Sequence, residues 1–301
     1  MSQQRTSIDP DALLAIRDLE LRARIVVEGI WAGLHRSPYH GFSVEFSEYR
    51  QYSPGDDLRY LDWKALARTD REYLKIFEDE TNLICTLALD SSRSMSFGSG
   101  AFPKFEYART LVATLSYFML QQRDVVGLAR FEDDISDFVP ARWRPGHLKW
   151  LLASLERPAN GEATDIARSL RAIRRVSRKR GIIVIVSDFL SDPDTWERAL
   201  SHLSTMGHDV RALQVLDPVE LDLEFGKAAY WEDLESGESI YVDPNEMRSR
   251  YQERFQKRQK RLVEAFLNCG VRYHTIQTNE PLDQALLDFV RELRSPNKIR
   301  R

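Results

Sequence analysis

From residue 82 onward, short apolar runs alternate with longer stretches of helical periodicity, and nothing else in the 301-residue chain constrains the fold as strongly. The runs "LICTLAL", "GIIVIV" and "VRALQVL" are apolar almost throughout. A strand with one wet face alternates in polarity, whereas one covered on both faces does not, so these runs predict central strands of a parallel sheet. Strands are expected over 82–89, 124–131, 182–187, 209–216 and 271–276. Helices are expected over 103–122, 146–156, 163–179, 193–205, 245–268 and 281–294. This alternation implies an α/β fold: a doubly wound, mainly parallel sheet with helices on both faces.

The first eighty residues have a different texture. Leu13, Leu14, Ile16, Leu19, Leu21, Ile25 and Val26 recur near helical spacing, and Asp9 with Pro10 supplies a cap and a first-turn proline, so one helix is expected over 10–30. Residues 31–80 are rich in aromatics, glycine and charge, and predict short strands and turns. The expected organisation is a smaller N-terminal module over 1–80 and an α/β domain over 81–295. A hairpin insertion is expected at about 226–244, turning at Glu235, Ser236 and Gly237. Met247, Tyr251, Phe255, Leu262 and Phe266 then form a helical apolar stripe that closes at Gly270.

Composition narrows the function classes. The net charge is −3, so global charge gives no argument for nucleic acid or an anionic membrane. The two cysteines, Cys85 and Cys269, match no metal spacing and suit a reducing compartment. No apolar run approaches the ~20 residues of a membrane span, and the N-terminus lacks the apolar core of a signal peptide. A cytoplasmic location without a membrane span is therefore expected. The histidines show no HExxH spacing, which argues against zinc, and neither GxxxxGK[ST] nor GxGxxG occurs, so no nucleotide is expected.

The first buried run ends in a carboxylate and two hydroxyls. In "CTLALDSSRSMSFGSG", Asp90 closes the strand, and Ser92 and Ser94 follow on the connecting loop. Ligands of parallel α/β sheets bind at the carboxyl ends of the strands, where strand order reverses. Spacing of i, i+2, i+4 along an extended loop can turn three oxygens toward one point, and hard oxygens suit Mg²⁺, Mn²⁺ or Ca²⁺. Capping of the next helix is the plainer alternative for these residues taken alone. Thr164 in "GEATDIARSL" and Asp188 in "IIVIVSDFLSD" are expected at the same edge of the sheet.

Asp90, Ser92, Ser94, Thr164 and Asp188 together resemble the metal-ion-dependent adhesion site of von Willebrand factor A domains. The resemblance implies a von Willebrand A (Rossmann-like) sheet. It also implies that Ser92 and Ser94 bind metal directly, that Thr164 does so directly or through water, and that Asp90 and Asp188 act mostly through water. Neutral hydroxyl ligands leave positive charge on the ion, so the resemblance implies a site that takes an Asp or Glu side chain from a partner protein.

The segment "GFSVEFSEYRQYSPGDDLRYLDWKALARTDREYLKIFEDE" is similar to the signature of the bacterial domain-of-unknown-function-58 family. The matching residues are Phe46, Glu48, Arg50, Tyr52, Gly55, Asp56, Asp57, Arg59, Asp62, Trp63, Ala67 and Arg68. Membership implies a partner, a MoxR-type AAA+ ATPase or its client, for which the chain would act as an adaptor or co-chaperone. No catalytic residue is assigned, and the expectation is a binding protein and not an enzyme. Two other classes stay open: a metal-dependent hydrolase or phosphatase using the same ion, and nucleic-acid binding through the basic helix 168–180. The plainer reading of that basic run is a solvated helix face. The mixed charges of the signature suit an internal ion-pair lattice or a docking surface.

Overall fold

A computed structural model describes residues 8–35, 48–53, 63, 66, 68, 72–76, 82–159, 165–222, 229–232, 239–242 and 244–294. The chain divides into two compact units, one of residues 1–33 with 83–301 and one of residues 34–82. In the smaller unit, β1 (Glu48–Gln51) pairs antiparallel with β2 (Tyr73–Ile76).

The larger unit is built on a six-stranded sheet. Its strands are β3 (Ile84–Asp90), β4 (Val125–Phe131), β5 (Ile135–Arg142), β6 (Ile182–Ser187), β7 (Asp209–Leu216) and β10 (Arg272–Gln277). The order is β10-β7-β6-β3-β4-β5, and every pairing is parallel except that of β5, which runs antiparallel to β4 at one edge. Counted from β3, this is the doubly wound order 3-2-1-4-5-6. The expected α/β class is therefore observed, and strand order reverses between β3 and β6. A further antiparallel pair, β8 (Ala229–Glu232) with β9 (Ser239–Val242), occupies the expected hairpin region, whose turn lies outside the described residues.

Helices cover both faces because successive strand residues point to opposite sides. Ala88, Ile183, Ile185, Val210 and Ala212 face a cluster that contains Ile166, Ala167, Leu170 and Ile173 of α5 (Ile166–Val176). The same cluster holds Trp196 and Leu200 of α6 (Pro193–Thr205) and Leu262 and Phe266 of α8 (Pro244–Asn268). The opposite face packs on α3 (Lys104–Gln121), whose Leu111, Val112 and Leu115 are buried. The fold also includes α4 (His147–Leu155), α7 (Pro218–Asp222) and α9 (Leu282–Arg294).

The compact units do not follow the expected division at residue 80. Helices α1 (Pro10–Leu14) and α2 (Leu19–His35) replace the single helix expected over 10–30, and residues 1–33 belong to the larger unit. The break has a local cause: the Asp18 side chain accepts from Leu21 N at 2.9 Å and starts a new helix. The docking has one too. Arg22, almost fully buried, donates to Glu106 Oε2 at 3.0 Å and to Thr110 Oγ1 at 3.1 Å, both on α3.

Candidate metal centre

Asp90, the last residue of β3, is buried, and both of its carboxylate oxygens are engaged. Oδ1 accepts from Ser92 N at 2.9 Å, and Oδ2 accepts from Ser187 Oγ at 2.6 Å. Beyond Ser92, residues Arg93–Ser96 form a 3₁₀ turn in place of the extended loop expected there. This turn brings the Ser92 and Ser94 hydroxyls to 3.2 Å from each other, both buried. The Asp90, Ser92 and Ser94 oxygens thus share one short loop at the carboxyl end of the sheet.

Asp188 follows β6, the strand beside β3, and is also buried. Its Oδ1 accepts from Leu190 N at 3.2 Å, and its carbonyl accepts from Gln214 Nε2 at 2.9 Å. Phe189, next in the chain, adopts a left-handed φ of 50°, costly for an aromatic residue and held by its buried packing among Trp196 and Phe266. The carboxylates of Asp90 and Asp188 therefore flank the point where strand order reverses. Thr164 lies outside the described residues. Asp165 beside it caps α5 by accepting from Arg168 N at 2.8 Å.

Asp90 pays for its burial when it ionises. Burial, then the neighbouring Asp188 charge, pushes the Asp90 carboxyl up to about 7, against the opposing hydrogen bonds from Ser187 and Ser92. A cation placed among these oxygens would remove that penalty. The donor set is hard: hydroxyls and carboxylates without sulfur or imidazole, which fits Mg²⁺, Mn²⁺ or Ca²⁺. Among the described residues no group of three or more His, Cys, Asp or Glu side chains is arranged to hold a metal ion.

Residues 48–261 match the family model described as "Protein of unknown function DUF58". The chain belongs to the DUF58 family. It is 32% identical over 241 residues to "Uncharacterized protein Rv1480" of Mycobacterium tuberculosis and to "Uncharacterized protein Mb1516" of Mycobacterium bovis, over 78% of this chain and 75% of each relative. Among solved structures it is similar to an aerotolerance-related membrane protein from Bacteroides fragilis, with TM-score 0.49 and 17% identity over 70% of this chain and 100% of that one. It is also similar to BatB from Bacteroides thetaiotaomicron, with TM-score 0.45 and 18% identity over 70% of this chain and 98% of that one.

This DUF58 chain carries site residues that sequence reasoning missed. Lys104 Nζ donates to Asp188 Oδ2 at 2.8 Å and to Glu220 Oε1 at 2.6 Å, and none of the lysine side chain is exposed. Burial alone would lower the Lys104 ammonium, but the Asp188 and Glu220 charges outweigh it and raise it. The signal was present: Lys104 stands on the same helical stripe as the buried Tyr107, Ala108 and Leu111. Above the strand ends, Tyr251 of α8 donates to Glu220 O at 2.6 Å, and Arg258 of α8 donates to Phe189 O. Of the family signature, Trp63 and Arg68 are exposed, whereas Asp56, Asp57, Arg59 and Asp62 lie outside the described residues.

Proposed function

We propose that this chain is a metal-dependent protein-interaction module that serves a MoxR-type AAA+ ATPase in the bacterial cytoplasm as an adaptor or co-chaperone. The single observation that supports the metal-dependent part is the pairing of the Ser92 and Ser94 hydroxyls on the loop that Asp90, buried and bonded to Ser92 N and Ser187 Oγ, holds where strand order reverses. The ATPase partnership rests on the family alone.

In this reading Ser92 and Ser94 hold Mg²⁺, or Mn²⁺ or Ca²⁺ in its place, with Thr164 as a further oxygen donor. Bound there, the ion supplies residual positive charge and a coordination position for a partner's Asp or Glu. Asp90 orients the loop by accepting from Ser92 N, and Ser187 in turn orients Asp90. The burial of these groups keeps bulk water from competing with the partner carboxylate. Cytoplasmic location is part of the proposal. Among the described residues no helix is long and apolar enough to cross a membrane.

Affinity capture with Mg²⁺ and with EDTA tests the reading. Magnesium-dependent retention of a AAA+ ATPase or its client, lost in Asp90→Ala and Ser92→Ala with the fold intact, is the expected result. Retention unchanged by EDTA and by Asp90→Ala would overturn it. Turnover of a phosphoester by the pure protein, lost in Asp188→Ala, would instead favour a metal-dependent hydrolase.

A further inference from the structure

Lys104 is the first residue of α3, and its ammonium sits in the protein interior at that helix's N-terminus. Two general rules disfavour this placement. The positive end of a helix dipole repels a cation, and a buried ammonium loses its hydration. No side-chain cap offsets the first effect, because Pro103 occupies the N-cap position. What holds the charge is its pair of acceptors: Asp188, next to the candidate metal ligands, and Glu220 on α7. The Phe97 ring, 5.8 Å from Nζ, adds an aromatic face. A local rule broken this completely, beside a candidate functional site, points to a role in that site.

We propose that Lys104 is a resident cation that sets the divalent-metal affinity of this site: it commits Asp188 to an ion pair and offsets part of the negative charge that would attract the metal. The proposal rests on the reading of Ser92 and Ser94 as metal ligands held in place by Asp90. Three carboxylates, Asp90, Asp188 and Glu220, share the region, and Lys104 contacts two of them. Its charge therefore opposes a second cation nearby, while Glu220 draws the ammonium partly away from Asp188. Lysine and glutamate should consequently act with opposite sign. Glu220 also links the device to the roof of the site, since its backbone carbonyl accepts from Tyr251 of α8.

The test is direct titration of the purified full chain with Mn²⁺, read as free Mn²⁺ by electron paramagnetic resonance. Lys104→Met removes the charge at similar length, and binding is expected to tighten by about tenfold or more. Glu220→Gln removes a carboxylate outside the proposed ligand set and leaves the ammonium to Asp188 alone, so binding should weaken by about three- to tenfold. Lys104→Arg keeps the charge and should stay near wild type. Should Lys104→Met fail to fold, Lys104→Gln, which removes the charge but keeps a hydrogen-bond donor for Asp188, carries the same expectation, and unchanged binding there would overturn the proposal. Wild-type binding that is lost in Ser92→Ala but is unchanged or weaker in Lys104→Met would overturn this proposal and leave the metal reading standing. Binding in Lys104→Met where wild type binds nothing would support it, with the lysine substituting for the ion outright. No binding in any variant would overturn both.

Discussion

Ser187 Oγ donates to Asp90 Oδ2 at 2.6 Å, joining the ends of the two strands between which the sheet reverses its order. The same oxygen accepts from Phe189 N at 3.0 Å, so one hydroxyl fixes the Asp90 carboxylate and steadies the left-handed turn after Asp188. Ser187→Ala removes both bonds. Hydrogen bonds to charged groups contribute about 1.5–3 kcal/mol, and urea denaturation should report a loss of that order. Mn²⁺ affinity should fall by about tenfold, because Asp90 loses the donor that holds it in place. Unchanged affinity would mean that Ser187 serves only the fold.

The raised Asp90 carboxyl makes a pH prediction for metal-free protein. Its folded value of about 7 lies above the ordinary 3.8, so between these the folded state binds the extra proton and the unfolded state does not. The resulting contribution is complete below about pH 4 and is lost as pH rises through about 7. Stability of the EDTA-treated protein should therefore fall from pH 5 to pH 8 by about 1–3 kcal/mol. Asp90→Asn should flatten this slope and should be the more stable form at pH 8. Saturating Mg²⁺ should oppose the loss in wild type and not in Asp90→Asn. Denaturation midpoints at several pH values, with and without metal, measure all three effects.

The strand runs were legible because central parallel strands are dry on both faces, so burial writes itself into "LICTLAL" and "GIIVIV" without help from distant residues. Strand β5 escaped because an edge strand need not be apolar. "ISDFVPAR" carries Asp137 and Pro140, and proline belongs on edges. The first helix was expected unbroken because its apolar spacing continues across residues 15–18, although Asp18 carried a readable capping signal. At the site, Asp90, Ser92 and Ser94 could be read because they are near neighbours in sequence. The Lys104–Glu220 pair could not, because its members are 116 residues apart and meet only when α7 folds over the strand ends.

Gly181 supplies a test of how β3 and β6 meet. It precedes β6, and a Cβ added there would lie 2.2 Å from Ile84 O, a backbone atom that cannot turn aside. Its own carbonyl accepts from Asp209 N at 3.0 Å, so the segment is held from the β7 side as well. Gly181→Ala must then shift one strand against its neighbour. A destabilisation of about 2–4 kcal/mol is expected, in the range of overpacked cores. The strand starts carry this strain, whereas Asp90 and Ser187 sit at the strand ends, so Mn²⁺ affinity should change much less than stability. Denaturation with urea, paired with Mn²⁺ titration of the still-folded fraction, separates the two.

Arg130 of β4 holds the chain at the end of α4. Its buried guanidinium donates to the carbonyls of Ser154 at 2.9 Å, Arg157 at 3.0 Å and Pro158 at 3.0 Å. These oxygens lie at the end of α4 and just beyond it, where a helix leaves carbonyls without internal partners and its dipole favours a cation. A planar fork can serve three acceptors at once, and a point-like ammonium cannot. Arg130→Ala leaves the carbonyls buried without donors and should cost about 3 kcal/mol or more. Arg130→Lys should cost about half as much and fold well enough for binding to be measured. If Thr164 contributes an oxygen to the metal, a loosened 156–159 segment should weaken Mn²⁺ binding in Arg130→Lys by about the same factor as in Thr164→Ala, and the double variant should be little worse than either alone. Additive losses would place Thr164 and Arg130 in separate roles, and a stability loss without any change in Mn²⁺ affinity would confine Arg130 to the fold.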